Sequence, residues 1–108
     1  MFVSTSQDGD RSIISVEGEV DIASAEILDS AVLSEISSAP TQVIVDLSGV
    51  SFMDSTGLGV IVRGLKRARE ADIDFDLVLT NERVLKIFSI TGLDSLIPIH
   101  DSLEAALD

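Results

Sequence analysis

The chain has 108 residues, with 19 acidic against 7 basic side chains, no cysteine, and four phenylalanines as its only aromatics apart from one histidine. That length suits one domain with one modest core, built mainly from Val, Ile and Leu. A net charge of −12 argues against nucleic acid and anionic membrane as partners, and the lack of cysteine excludes disulfides, thiolate metal sites and thiol redox switches.

Phe2 to Gln7 and Arg11 to Gly18 read as two strands joined by Asp8-Gly9-Asp10, a hairpin turn sequence. From Ser24 to about Ser37, Ala25, Leu28, Val32 and Ile36 recur at helical spacing, and Pro40 then punctuates the chain. Val43-Ile44-Val45-Asp46-Leu47 is short and nearly continuous in apolar character, as expected of a strand buried on both faces. After the loop that follows, Leu58, Ile61, Val62, Leu65 and Ala68 line the inner side of a helix ending near Ala71. Arg63, Lys66, Arg67 and Glu70 line its outer side.

The alternation then repeats. Phe75 to Leu79 reads as a strand, and Thr80-Asn81 opens a helix with Val84, Ile87 and Phe88 facing inward. Gly92 suits the left-handed position that closes many helices. Leu96 to Ile99 reads as a last short strand, with Pro98 tolerated only at an edge, and Ser102 to Leu107 as a terminal helical turn or two. No linker or internal repeat interrupts the chain. A single α/β domain over residues 1–108 is expected, with an antiparallel N-terminal hairpin added to crossover-linked strands.

No apolar run approaches the ~18 residues of a membrane span, and no basic-then-apolar secretory signal opens the chain, so a cytoplasmic protein is expected. Charge is unevenly spread. Four of the seven basic residues, Arg63, Lys66, Arg67 and Arg69, fall in one helix, while the first 35 residues carry eight acids and only Arg11. The acidity serves solubility or marks one half of an electrostatically matched interface. The basic helix is the other half of such an interface, or simply carries cations that its dipole favours near the C-terminus.

Three catalytic readings fail on the residues. Nucleophilic hydrolysis needs a base, and the only histidine, His100, reads as a surface residue beside an edge strand; the Gly-x-Ser-x-Gly elbow is also absent. Asp8 and Asp10 flank a turn, and Asp72, Asp74 and Asp76 alternate at the start of a strand, which suits solvated positions better than metal ligands. Gly57 and Gly59 lack the lysine that closes a phosphate-binding loop. No enzyme activity, no cofactor and no metal are expected.

Val50-Ser51-Phe52-Met53-Asp54-Ser55-Thr56-Gly57-Leu58-Gly59 is the most informative stretch. It sets two hydroxyls, a carboxylate and two glycines where a buried strand gives way to an amphipathic helix. A serine there is exposed, held by the helix and placed at the positive end of its dipole, which suits a phosphoacceptor. The same position suits an ordinary N-cap, and the two roles are compatible. Asp54 is either a first-turn acid or a recognition residue, and the glycines serve either close packing or contact with a partner.

Phe52-Met53-Asp54-Ser55-Thr56-Gly57-Leu58-Gly59-Val60 resembles the motif of anti-sigma factor antagonists, bacterial members of the STAS domain family. Val16-Glu17-Gly18-Glu19-Val20-Asp21, followed by Ala23-Ser24-Ala25, is similar to the family's second strand and its turn into the first helix. Val43-Ile44-Val45-Asp46-Leu47-Ser48 is similar to the strand before its phosphorylation loop. The likeness runs over nearly the whole chain. It implies a STAS-like fold: a mixed four- to five-stranded sheet with an N-terminal antiparallel hairpin and about four helices packed against it.

The resemblance also implies partner switching. In that family the unphosphorylated antagonist binds an anti-sigma factor that is also a serine kinase, which frees the sigma factor. Phosphorylation of the serine after the motif aspartate abolishes binding, and a metal-dependent PP2C-type Ser/Thr phosphatase reverses it. Carried over, the acceptor is Ser55, with Thr56 as the weaker candidate, and the partner-binding residues are Asp21, Asp54, Ser55, Thr56, Gly57 and Leu58. A weak homodimer is left open. The competing expectation is a STAS domain that senses a ligand, or acts as a scaffold, within a larger signalling or lipid-transport assembly.

Overall fold

The strand pattern on either side of Gly9 closes into a hairpin, because Gly9 takes φ +63° at the first position of a two-residue turn, a conformation that side chains resist. The computed structural model describes residues 1–108. It runs β1 (Phe2–Asp8), β2 (Arg11–Val20), α1 (Ala25–Ser37), β3 (Gln42–Met53), α2 (Ser55–Glu70), β4 (Asp74–Val78), α3 (Glu82–Ile90), a 3-10 turn (Leu93–Ser95), β5 (Ile99–His100) and α4 (Leu103–Leu107). The five strands lie in chain order; β1 is antiparallel to β2, and every later pair is parallel. The mixed sheet with its antiparallel hairpin and four helices is as expected.

The helices divide unequally. Leu28 and Val32 of α1, Val60 and Ile61 of α2, and Val84 and Phe88 of α3 share one core with Val16, Val45, Met53 and Leu77 of the sheet. Fully burying a side chain of this kind stabilises by roughly 1.5–3 kcal/mol, so this layer carries most of the fold. On the opposite face, Ile44, Val78 and Ala106 form a small second cluster beneath α4. The Arg11 guanidinium donates to the Leu107 carbonyl and the Gln42 amide to that of Ala106 at 3.4 Å, holding the end of α4 in place. No helix is long and apolar enough to cross a membrane.

Several boundaries differ from the sequence reading. β3 continues for 12 residues, through Met53, instead of stopping at Leu47. Two register irregularities against β2, between Ser15 and Glu17 and between Gly18 and Glu19, each insert an extra β3 residue. The core-facing positions therefore run Val43, Val45, Leu47, Val50, Met53, and the period-2 pattern is lost at the bulges. On α2, Val62 turns outward at 41% exposure, and Gly57, Val60 and Gly64 are buried in its place. Gly64 is there because a Cβ would come within 2.9 Å of the Phe75 ring and 3.0 Å of Val32. Ile87 is only half-buried.

β5 is the pair Ile99–His100, so Leu96 to Pro98 lie outside it, although the Pro98 carbonyl accepts from the Leu77 N–H at 2.9 Å. His100 is not a free surface residue. Its Nε2 lies 2.8 Å from Asp76 Oδ2, with side chains 26% and 13% exposed. Asp76 is thus paired, not solvated, because β5 aligns His100 with Val78 on the sheet face that α4 covers.

Candidate functional site

The parallel strands β2, β3 and β4 end along one edge of the sheet, the edge where α/β sheets characteristically bind ligands. Val20 and Met53 are register partners there, and the Asp54 N–H donates to the Val20 carbonyl at 3.1 Å. That bond sets the turn beginning at Asp21 beside the start of α2. The motif residues and Asp21, far apart in sequence, become neighbours.

The cap of α2 is Asp54, neither of the hydroxyl residues. With extended backbone (φ −97°, ψ −175°), its Oδ1 accepts from the Thr56 N–H at 2.9 Å and the Gly57 N–H at 3.1 Å. A cap of this kind stabilises by about 1 kcal/mol, and its negative charge adds ~0.3–1 kcal/mol at the dipole's positive end. Because the carboxylate takes the capping bonds, Ser55 is left exposed at the first helical position with its hydroxyl free. Asp54 is half-buried rather than an open first-turn acid.

The neighbouring motif residues take distinct places. Gly57 is buried: a Cβ would meet Val20 Cγ1 at 2.7 Å, Met53 Cγ at 3.0 Å and the Val20 carbonyl at 3.1 Å. It serves close packing of α2 on the strand ends. Gly59 is open, since the nearest atom to a Cβ there is an Arg63 nitrogen at 3.6 Å. Leu58 is half-buried against the edge of the core. Thr56 is half-buried and turns toward α1.

Asp21 spends its carboxylate on its own turn. Oδ1 accepts from the Ala23 N–H at 3.0 Å and the Ser24 N–H at 3.1 Å, which leads the chain into α1. Ile22 stands at the tip of that turn, 80% exposed. Ile22, Ala25, Glu26 and Asp29 of the first turn and helix face Thr56 and Arg63 of α2 across a groove of about 490 Å³. At its floor Asp29 bridges both helices, 3.5 Å from Arg63 Nε and 3.1 Å from Arg67 Nη1. Two of the four α2 cations are therefore structural cross-links to α1, while Lys66 and Arg69 remain on the outer side.

Two residues at this edge, Ile22 and Phe52, are not among the expected site residues, and a third, Asn81, opens α3 as expected. Ile22 is an apolar residue in a polar turn, and that contrast is visible in the sequence. Phe52, 49% exposed, is turned outward by the bulge that precedes it. Asn81 caps α3 through the Arg83 N–H at 2.9 Å, and its amide donates to the Val50 carbonyl at 3.3 Å, fastening α3 to the end of β3. His100 lies on the α4 side of the sheet, away from Ser55, so the two do not form a nucleophile–base pair.

The model of the STAS domain family matches residues 2–106. The chain belongs to the STAS domain family. Among its relatives, an anti-sigma-B factor antagonist of Staphylococcus epidermidis is 33% identical over 91 residues, 84% of each chain. The protein of the same description from Staphylococcus aureus strain NCTC 8325 is 31% identical over the same share of both chains. The crystal structure of an anti-sigma factor antagonist from Mycobacterium paratuberculosis superposes with a TM-score of 0.91 at 26% identity, over 98% of this chain and 90% of that one. Within this STAS domain, the Asp54-Ser55-Thr56-Gly57 segment forms the head of α2, beside the Asp21 turn.

Proposed function

We propose that this STAS domain is an anti-sigma factor antagonist whose affinity for its partner is set by the charge on Ser55. The observation that carries the reading is the free hydroxyl of Ser55, exposed at the first position of α2, while Asp54 beside it supplies the cap. The antagonist descriptions of the Staphylococcus relatives point the same way. In its unphosphorylated form the domain binds an anti-sigma factor with serine kinase activity and releases the sigma factor. Asp21, Asp54, Ser55, Thr56 and Leu58 form the contact region, with Gly57 setting its geometry from below. The kinase supplies base, metal and ATP, a PP2C-type phosphatase reverses the reaction, and the antagonist performs no chemistry of its own in the cytoplasm.

The physics favours control at the interface over refolding. Phosphoserine adds roughly 1.5–2 negative charges at neutral pH. The helix N-terminus favours them by ~0.3–1 kcal/mol, while Asp54 opposes them by roughly 3 kcal/mol per charge pair at about 5 Å and an effective dielectric of ~20, before screening. Those terms partly cancel within the domain. At a contact surface the uncompensated dianion has to be desolvated, which costs several kcal/mol.

The test is intact-mass measurement after incubation with ATP and the purified anti-sigma factor kinases of the host. One added phosphate, mapped to Ser55 and absent in Ser55→Ala, is expected. A phosphate on Thr56, or none with every kinase, contradicts the assignment.

A further inference from the structure

We infer that the interaction surface does not stop at the head of α2 but runs along its outer side to a second anchor, a groove that takes an acidic, amphipathic helix of the same anti-sigma partner. The inference rests on the proposed function and deepens it. At 100° per residue, Ser55, Leu58, Val62, Lys66 and Arg69 fall on one stripe of α2. Apart from Leu58, which touches the edge of the core, this stripe faces neither the core, which Gly57, Val60, Ile61, Gly64, Leu65 and Ala68 fill, nor α1, which Arg63 and Arg67 meet through Asp29. With a rise of about 1.5 Å per residue, Ser55 and Arg69 lie roughly 21 Å apart along the axis.

The far end of the stripe opens on a groove of about 590 Å³ lined by Val62, Leu65, Lys66, Arg69 and Glu70 of α2 and by Leu96. Its floor and walls are apolar, with Val62 41% and Leu96 50% exposed. Arg69 Nη2 donates to the Leu96 carbonyl at 3.0 Å, which fixes the wall opposite the helix. Lys66 has no acidic partner within ion-pair distance, and Glu70 is the one acid on the rim. The helix dipole accounts for cations near the end of α2, but it does not account for the exposed aliphatic side chains of Val62 and Leu96 in the same groove.

Charge selects the occupant. On a chain of net charge −12, a pair of cations over an apolar floor is a local exception, and the complementary segment carries apolar residues flanked by Asp or Glu. A helix laid along α2 presents such residues along one face, opposite Leu58, Val62, Lys66 and Arg69, which stand at i, i+4, i+8 and i+11 on α2. A second copy of this chain is a poorer occupant, because its strong negative charge opposes close approach over the rest of the surface.

The experiment is calorimetric titration of the anti-sigma factor kinase into wild type, Lys66→Gln, Val62→Ser and the double variant. Both positions are exposed, so the fold is retained, and thermal unfolding checks this. Each single variant is expected to weaken binding about tenfold, and the double variant by less than the product, because one ligand covers both positions. Wild-type affinity in Lys66→Gln and Val62→Ser overturns the groove while leaving the Ser55 reading standing. Failure of the wild type to bind any host anti-sigma factor overturns the functional reading itself. Self-association of wild type that Lys66→Gln abolishes assigns the groove to a second copy and overturns the proposed occupant.

Discussion

Ser55→Asp is expected to weaken binding of the anti-sigma partner by about a hundredfold or more, while Ser55→Ala binds like the unphosphorylated protein. A hundredfold corresponds to about 2.8 kcal/mol. That lies within the cost of burying one unpaired carboxylate at a contact surface, which is several kcal/mol. The aspartate carries less charge than a phosphate, so phosphorylation itself weakens binding further. Neither variant should disturb the fold. Ser55 is exposed, its hydroxyl holds no capping bond, and the dipole and Asp54 act on an added charge in opposite directions. At this exposed position solvent and salt screen the Asp54 repulsion to about 1 kcal/mol or less, so the unfolding midpoint stays within about 5 °C of wild type in Ser55→Ala and falls by no more than about 8 °C in Ser55→Asp. Surface plasmon resonance and thermal unfolding on the same preparations separate the two effects. Equal affinity of the two variants contradicts charge control at this position.

Gly57→Ala is expected to act on stability instead. The added Cβ would stand 2.7 Å from Val20 Cγ1 and 3.1 Å from the Val20 carbonyl, and the carbonyl has no way to yield without moving the end of β2. Overpacking of this kind costs about 1–3 kcal/mol, and with backbone on one side the upper half of that range applies. The unfolding midpoint should fall by roughly 10–20 °C. Gly59→Ala is the matched control. A Cβ there meets nothing closer than 3.6 Å, so the variant gains about 0.5–1 kcal/mol from the better helix former. Equal and small effects of the two substitutions in chemical denaturation would show that α2 does not seat on β2 and β3 through Gly57. A side chain at Gly57 also lifts the head of α2, so Ser55 loses its position beside the Asp21 turn.

Much of this architecture was legible because each element carried one dominant period. Leu28, Val32 and Ile36 defined the inner face of α1, and Val43 to Leu47 marked the central strand from its apolar run alone. The bulges of β3 were not legible, because an inserted residue shifts the apolar period without leaving a distinctive residue behind. Phe52 accordingly falls in the loop expected after Leu47, and its place in β3 with an outward ring comes only with the register. Val62 misled for a related reason. Helix faces drawn from apolar residues omit glycines, and here Gly57 and Gly64 supply inward positions that larger residues cannot occupy.

The site shows the same division. Ser55 was legible from its motif, since an Asp-Ser-Thr-Gly run between strand and helix leaves few places for the serine. Its relation to Asp21 was implied by family resemblance, and the Val20–Met53 register supplies the physical reason. The capping role, open to Ser55 in the sequence, falls to Asp54. Three residues in a row can cap, and only backbone geometry decides that Asp54 does so. The His100–Asp76 pair was illegible for a stronger reason: it joins residues 24 apart whose meeting depends on where a two-residue strand docks.

The most direct measurement uses one preparation in two states. The domain is phosphorylated on Ser55, titrated by calorimetry with its anti-sigma partner, treated with a PP2C-type phosphatase, and titrated again. Loss of measurable binding in the phosphorylated state, and full recovery of the original affinity after phosphate removal, is the expected result. The same dissociation constant in both states would show that Ser55 does not control the partner.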